Sequence, residues 1–110
     1  MYVDDKFYRH PGGSLLTTRD SGELLSAPVR GGMLYVFQKV GDHIPAHTHA
    51  DGMGHTTFIM QGTIRFRQTG QEDLVYTAPA IVVPDDGVEH TFIGETEGAV
   101  VVNINAKPLF

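Results

Sequence analysis

Glycine and proline divide this chain into short segments, and this punctuation constrains its fold more than any other feature. Thirteen Gly and six Pro stand among its 110 residues. The runs between them are rich in Val, Ile, Tyr, Phe and Thr, the residue types that favour strands. Turn signals recur at roughly 8–12-residue spacing, as is typical of a β-sandwich or β-barrel. The sequence therefore predicts an all-β fold with little helix.

The strands predicted in the second part of the chain are short. They are Gly32–Val40, His55–Gly62, Thr63–Gln68, Leu74–Ala78, Ala80–Pro84, Glu89–Gly94 and Ala99–Ala106. In the third of them, Ile64 and Phe66 alternate with Arg65 and Arg67, which predicts one packed face and one solvated face.

A chain of this length is large enough for one core, so we expect a single domain. Residues 32–110 form its β-barrel, and residues 1–31 are read as an N-terminal arm with one or two short strands. Such an arm can cover the edge strand of its own sheet or of a second copy, because exposed edges invite pairing. A homodimer formed through the arm is the hypothesis.

Composition excludes several classes of function. The formal net charge is −5 and no Lys/Arg cluster is present, which argues against a nucleic-acid partner. The chain has no Cys, so any metal must be bound by nitrogen and oxygen. No apolar run approaches the roughly 20 residues that a membrane helix needs. We expect a soluble cytoplasmic protein with no membrane partner.

Four of the six histidines lie in residues 41–55, GDHIPAHTHADGMGH. In a strand, His47 and His49 project from one face with their Cα atoms about 6.6 Å apart. The segment ADGMG predicts a turn that places His55 opposite this pair. His90 follows a second turn, PDDGVEH, and an antiparallel sheet could deliver its ring to the same cavity. Converging imidazoles are a common ligand set for zinc, iron, nickel or copper.

Two spaced motifs extend this pattern. The first consists of Gly41, five residues, His47-Thr48-His49, five residues, His55, six residues and Gly62; the second is Pro84-x-x-Gly87-x-x-His90 after an apolar strand. Together they resemble the two motifs of the cupin family over roughly Gly32 to Ala106. The chain departs from that family by placing His55 where it has Glu, after a gap one residue longer, and by lacking the Asn that often closes the second motif.

The resemblance implies an antiparallel jelly-roll β-barrel, also called a double-stranded β-helix. It also implies one divalent transition metal inside the barrel, such as iron, zinc, nickel or manganese. The ligands carried over by position are His47, His49, His55 and His90. Of the other histidines, His43 is a weaker pocket candidate and His10 is expected to be exposed.

Three functions remain open at this stage, and whether the chain is an enzyme is not decided. Four neutral imidazoles leave a divalent metal its full charge, which favours a small anionic or enolisable substrate. A metal-dependent dioxygenase acting on such a small molecule is the first hypothesis. A non-redox isomerase or lyase is the second, and its base would come from Tyr35, Tyr76, Glu89 or His43. A module that binds a small ligand without catalysis is the third. Asn103 and Asn105 share one strand face and are candidate cavity residues.

Overall fold

The structure of the protein is a computed structural model that describes residues 17–18, 24–48 and 54–105. These residues form nine strands and contain no helix. The strands are β1 (Thr17–Thr18), β2 (Leu24–Val29), β3 (Gly32–Phe37), β4 (Thr56–Gln61), β5 (Thr63–Gln68), β6 (Leu74–Thr77), β7 (Ala80–Val82), β8 (His90–Gly94) and β9 (Ala99–Ile104).

The strands form two antiparallel sheets. The larger sheet has the order β1-β2-β3-β9-β4-β7, and the smaller sheet has the order β6-β5-β8. Strand β4 continues into β5 through Gly62, and β6 continues into β7 through Ala78 and Pro79. Because β4 pairs with β7 and β5 pairs with β6, this hairpin bends once and contributes to both sheets.

A second bent hairpin brings the histidine-rich segment to the smaller sheet. Strand β3 pairs with β9, and the chain beyond β3 then crosses to lie beside β8. There Gly41, Ile44 and His47 donate backbone hydrogen bonds to Gly94, Phe92 and His90 at 2.8, 3.1 and 3.0 Å. Pro45 cannot donate such a bond, and residues 41–47 form only isolated bridges rather than a regular strand.

The core lies between the two sheets and is built from inward-facing aliphatic and aromatic side chains. Its fully buried members include Leu24, Phe37, Ile59, Ile64 and Phe92. On β5, Ile64 and Phe66 are buried while Arg67 is exposed, as the alternation predicts. Packing these side chains between two sheets stabilises the framework that carries the histidines.

The predicted all-β antiparallel fold is confirmed, and Thr63–Gln68 forms a strand over the predicted range. The other predicted strands are each shorter by one to three residues at one or both ends. Their ends enter turns, such as the one at residues 38–41, or bends, such as Ala78 and Pro79. Within the predicted arm, β2 pairs with β3 along its whole length, so this part of the arm covers an edge of its own sheet. None of the described residues belongs to a helix long and apolar enough to span a membrane.

Candidate metal centre

His47 and His90 are neighbours on adjacent strand segments. The backbone N–H of each donates to the carbonyl oxygen of the other, and both N···O distances are 3.0 Å. Residues paired in this way project their side chains from the same face of an antiparallel sheet. The two imidazole rings therefore meet, with their centroids 4.6 Å apart.

His55 approaches the pair from the larger sheet. It directly precedes β4, whose residues Thr57 and Ile59 are buried. Its ring centroid lies 5.1 Å from that of His90 and 5.8 Å from that of His47. One nitrogen of each of the three rings lies within 4.8 Å of the others, so this cluster could hold a metal ion.

Hydrogen bonds to Nδ1 determine the tautomer of each ring. Nδ1 of His47 donates to the carbonyl oxygen of Pro45 at 2.8 Å, and Nδ1 of His90 donates to that of Val88 at 3.0 Å. A carbonyl oxygen only accepts, so Nδ1 carries the proton in both rings. In the neutral rings, the lone pair is then on Nε2.

The tautomer of His55 is determined by a relay of two polar side chains. The Thr57 hydroxyl donates to Oδ1 of Asn103 at 2.6 Å, so at its other contact it accepts from Nδ1 of His55, at 3.0 Å. The lone pair of His55 is therefore also on Nε2. Thr57 and Asn103 are buried, which holds the relay away from solvent.

The donor set and its spacing fit a transition metal. Nε2 of His55 and Nε2 of His90 are 3.1 Å apart. Two nitrogens bound at about 2.0–2.1 Å to one ion are separated by roughly 2.9 Å at a right angle and 3.4 Å at the tetrahedral angle. The observed separation lies between these values. Two lone pairs directed at each other at this distance repel unless a cation or a proton lies between them.

The loop before β8 is fixed from the smaller sheet by Gln68, which faces inward at the end of β5. Its Nε2 donates to a carboxylate oxygen of Asp85 at 3.0 Å, and its Oε1 accepts from the Asp85 backbone N–H at 2.9 Å. This loop also supplies the Val88 carbonyl that orients His90. Gln68 therefore supports His90 without contacting its ring nitrogens.

The glycines of the two sequence motifs occupy turns that other residues adopt only with strain. Gly41, Gly62 and Gly87 have φ of 95°, 77° and 74°. This backbone region is open to glycine and costly for residues with a Cβ. The glycines of the motifs therefore mark turns of the chain near the histidines.

The remaining candidates lie in different places. His49 and His10 fall outside the described residues. His43 is exposed, and its Nδ1 contacts the carbonyl oxygen of Gly41 at 3.3 Å. Glu89 is exposed beside a cavity of about 290 Å³ that Arg67 and Asp73 also line.

Two further pairs of candidates separate by burial. Asn103 is buried whereas Asn105 is exposed, and Tyr35 is buried whereas Tyr76 is half-buried against the core.

Sequence reasoning missed the part played by Thr57 and Gln68. Both occupy inward positions of strands, and that alternation was the signal available for finding them.

Comparison with known proteins finds similar architectures among solved structures only. No protein-family model matches the chain, and no curated protein matches it. Solved structures do match. The cupin domain of Drosophila melanogaster CENP-C is 12% identical with a TM-score of 0.67, over 84% of this chain and 70% of that one. A predicted oxalate decarboxylase from Thermotoga maritima is 16% identical with a TM-score of 0.64, over 86% and 93%.

A third matching structure is that of HppE in its iron(II) form, which is 12% identical with a TM-score of 0.67 and matches over 96% of this chain and 63% of that one. Identities this low carry information about the fold and not about the reaction. The shared architecture, together with the motifs from Gly41 to Gly62 and from Pro84 to His90, shows that this chain has the cupin fold.

Proposed function

We propose that this chain is a divalent-metal-binding cupin, and that it is a metal-dependent dioxygenase acting on a small anionic or enolisable substrate. The observation that carries the proposal is the convergence of His47, His55 and His90 with their Nδ1 protons engaged. His49 is proposed as the fourth ligand from its place in the first motif. Iron(II) is the metal that suits this reaction; zinc, nickel and manganese are the other candidates.

The residues of the chain have separate tasks in this proposal. When bound, the metal supplies a positive charge for a substrate oxygen and, as iron, reactivity toward O₂. The imidazoles bring no negative charge of their own, so they leave that attraction for an anionic substrate undiminished. Thr57, Pro45 and Val88 hold the rings in the ligating tautomer. The apolar side chains between the sheets, including Phe92 near His55, give the site an apolar wall on the core side.

Of the compared structures, one is described as an iron(II) protein and one as a predicted oxalate decarboxylase, and at 12% and 16% identity these names motivate the proposal without carrying it. A non-redox isomerase or lyase would need a base beside the substrate. Of its candidates, His43 and Glu89 are exposed and Tyr76 packs against the core. Tyr35 is the one candidate that is buried on the inward side of β3. An isomerase would therefore depend on Tyr35 alone among these candidates, and for this reason we rank it below the dioxygenase.

Oxygen consumption tests the proposal. The protein is loaded with iron(II) under anaerobic conditions, and air is admitted with a panel of β-diketones, thiols and small phenols. We expect O₂ uptake with at least one substrate class, abolished in His47→Ala and retained in the matched control His43→Ala. No uptake, with proton exchange at a carbon next to a carbonyl, would contradict the dioxygenase and favour the isomerase. Neither O₂ uptake nor proton exchange would contradict both enzymes and favour the ligand-binding module.

A further inference from the structure

Asn103 is a buried polar residue in the interior between the sheets. It is 6% exposed, and it shares one face of β9 with the buried residues Ala99 and Val101. In the sheet it lies opposite Met33 of β3 and Thr57 of β4. It therefore occupies the inward face at the same end of the sheet as His55.

The orientation of the Asn103 amide is fixed by the relay behind His55. Its Oδ1 accepts the Thr57 hydroxyl hydrogen, and that hydroxyl accepts from Nδ1 of His55. Turning the amide around would reverse the relay, because Nδ2 would then donate to the Thr57 hydroxyl and that hydroxyl would donate to Nδ1 of His55. The proton of His55 would move to Nε2, which could then no longer bind a metal, so a ligating His55 requires Oδ1 toward Thr57. Nδ2 is consequently held on the other side of the carboxamide, with two N–H donors.

No acceptor in the described part of the chain lies within hydrogen-bond distance of Asn103 Nδ2. Buried donors in folded proteins are nearly always paired, because an unsatisfied one loses its hydration without compensation. The Oδ1 bond to Thr57 holds the amide in place, while the Nδ2 group has no acceptor among the described residues. Such an Nδ2 group can donate to a molecule that enters the interior.

The other buried polar side chains near the histidines do not share this property. Both ends of the Gln68 amide are bonded to Asp85. The Thr91 hydroxyl donates to the carbonyl oxygen of Ile44, and the Thr57 hydroxyl both donates and accepts. Asn103 is thus distinguished from these neighbours by its available donors.

We propose that Asn103 is a ligand-binding residue, whose Nδ2 donates a hydrogen bond to an oxygen of the molecule bound beside the histidines. This inference rests on the proposed metal site and deepens it. It assigns the ligand an acceptor oxygen, as in a carboxylate or an enolate, in addition to the atom that contacts the metal. Asn103 then selects against ligands that offer only N–H groups at that position.

Ligand binding to the cobalt(II)-loaded protein tests this assignment, since its visible spectrum reports ligands that add to the metal. The probes are acetate, malonate and succinate, which differ in the reach of their oxygens. Imidazole is the reference, because it binds metals through nitrogen and presents N–H at its far side. The variants are Asn103→Leu and Asn103→Asp, and the matched control is Asn105→Leu, which is exposed just beyond the end of β9.

We expect at least one carboxylate to lose about tenfold or more in affinity in both Asn103 variants, while imidazole binding changes less than about twofold. The Asn105→Leu variant should bind every probe as the unmodified chain does. Unchanged carboxylate affinities alongside a normal cobalt spectrum would overturn the inference alone and assign the Asn103 donors to buried water. Failure of the unmodified protein to bind cobalt(II) would overturn the metal site and this inference with it.

Discussion

Thr57 connects the stability of the fold to the chemistry of His55. Its hydroxyl is the central member of the relay between His55 and Asn103, and its side chain is fully buried. A hydroxyl in this position fixes the ring of His55 as a donor at Nδ1 and leaves Nε2 to bind a metal.

Replacing Thr57 with Val keeps the shape of the side chain and removes the relay. We expect metal affinity to fall about tenfold or more, because the His55 tautomer is no longer fixed. We also expect unfolding free energy to fall by about 1–3 kcal/mol, because Asn103 loses its donor in a buried site. Chelator competition and thermal unfolding measure the two effects. Thr56→Val on the opposite face of β4 is the control, and equal metal affinities in the two variants would contradict the role of the relay.

Three of the four histidines that the sequence predicts to converge do meet in the described residues, and His49 lies outside them. The sequence did not predict what orients the three rings. The spacing of His47 and His55, with a glycine-rich turn between them, predicts that the rings face each other, and their centroids lie 5.8 Å apart. Thr57 and Asn103 are 46 positions apart, so their contact depends on the register between β4 and β9. No local pattern encodes that register.

At the scale of elements, the bend between β4 and β5 moves the chain from one sheet to the other. Gly62 forms this bend with φ of 77°, and a Cβ there would lie 2.5 Å from Thr96 Oγ1 and 3.0 Å from the Ala99 Cα. The bend therefore depends on a missing side chain as well as on an unusual backbone angle.

A pair of glycine substitutions separates these two causes. Gly70 has φ of 85°, and a Cβ there would meet nothing within 4 Å. We expect Gly70→Ala to cost about 1 kcal/mol of stability from backbone strain alone. Gly62→Ala should cost about 2–4 kcal/mol, because steric overlap with Thr96 and Ala99 adds to the strain. Chemical denaturation measures both values, and equal losses would show that the space around Gly62 is not limiting.

An ion pair with a defined pH dependence joins β5 to Asp73, the residue just before the edge strand β6. Arg67 Nε and Nη2 both donate to the Asp73 carboxylate, at 3.1 and 2.8 Å. The hydrogen bond from Arg67 lowers the pKa of Asp73 below its ordinary value of 3.8. A lowered carboxyl pKa stabilises the folded state above the ordinary value, and this contribution is lost as the pH falls through the lowered one.

Asp73→Asn should therefore lower the Tm slightly at neutral pH, and the difference from the unmodified chain should disappear well below the ordinary pKa of 3.8. The effect is small because the pair is partly exposed. Thermal unfolding at a series of pH values measures it, with Glu72→Gln as the neighbouring control. A difference in Tm that persists in strong acid would show that Asp73 stabilises the turn in some other way.

Most strands were predictable because the alternation of buried and exposed residues is local, as in Thr63–Gln68. The pairing of residues 41–47 with β8 was not predictable in the same way. This segment contains Pro45 and few strand-forming residues, and it is held by backbone hydrogen bonds to residues about 50 positions away, such as Gly41 to Gly94. Its place follows from the β3–β9 pairing rather than from its own residues.

For the whole molecule, the homodimer remains a prediction. The edge strand β7 exposes Ile81, and Val83 beside it is also exposed, at 63% and 67%. Edge strands with apolar side chains are sites of association unless something covers them. Light scattering at micromolar concentration is expected to give the mass of a dimer. A monomer at that concentration would contradict the homodimer, whether it forms through the N-terminal arm or through the β7 edge at the other end of the sheet.

The metal content of the protein should depend on pH. Imidazole binds a metal only in its unprotonated form, and protons compete for unperturbed histidine side chains near pH 6.5. We expect the metal to be retained at neutral pH and lost on dialysis toward about pH 4. Metal content measured after dialysis checks this, and retention unchanged at the acidic end would contradict ligation by histidine alone.

Elemental analysis of protein purified without a histidine tag tests the metal centre most directly. We expect about one divalent transition metal per chain, in keeping with a single cluster of converging imidazoles. The metal should be lost in His47→Ala, His55→Ala and His90→Ala and retained in His43→Ala, whose ring is exposed. A metal-free native protein that also fails to bind added metal, or a metal content unchanged in all three variants, would contradict the convergence of these rings on one cation.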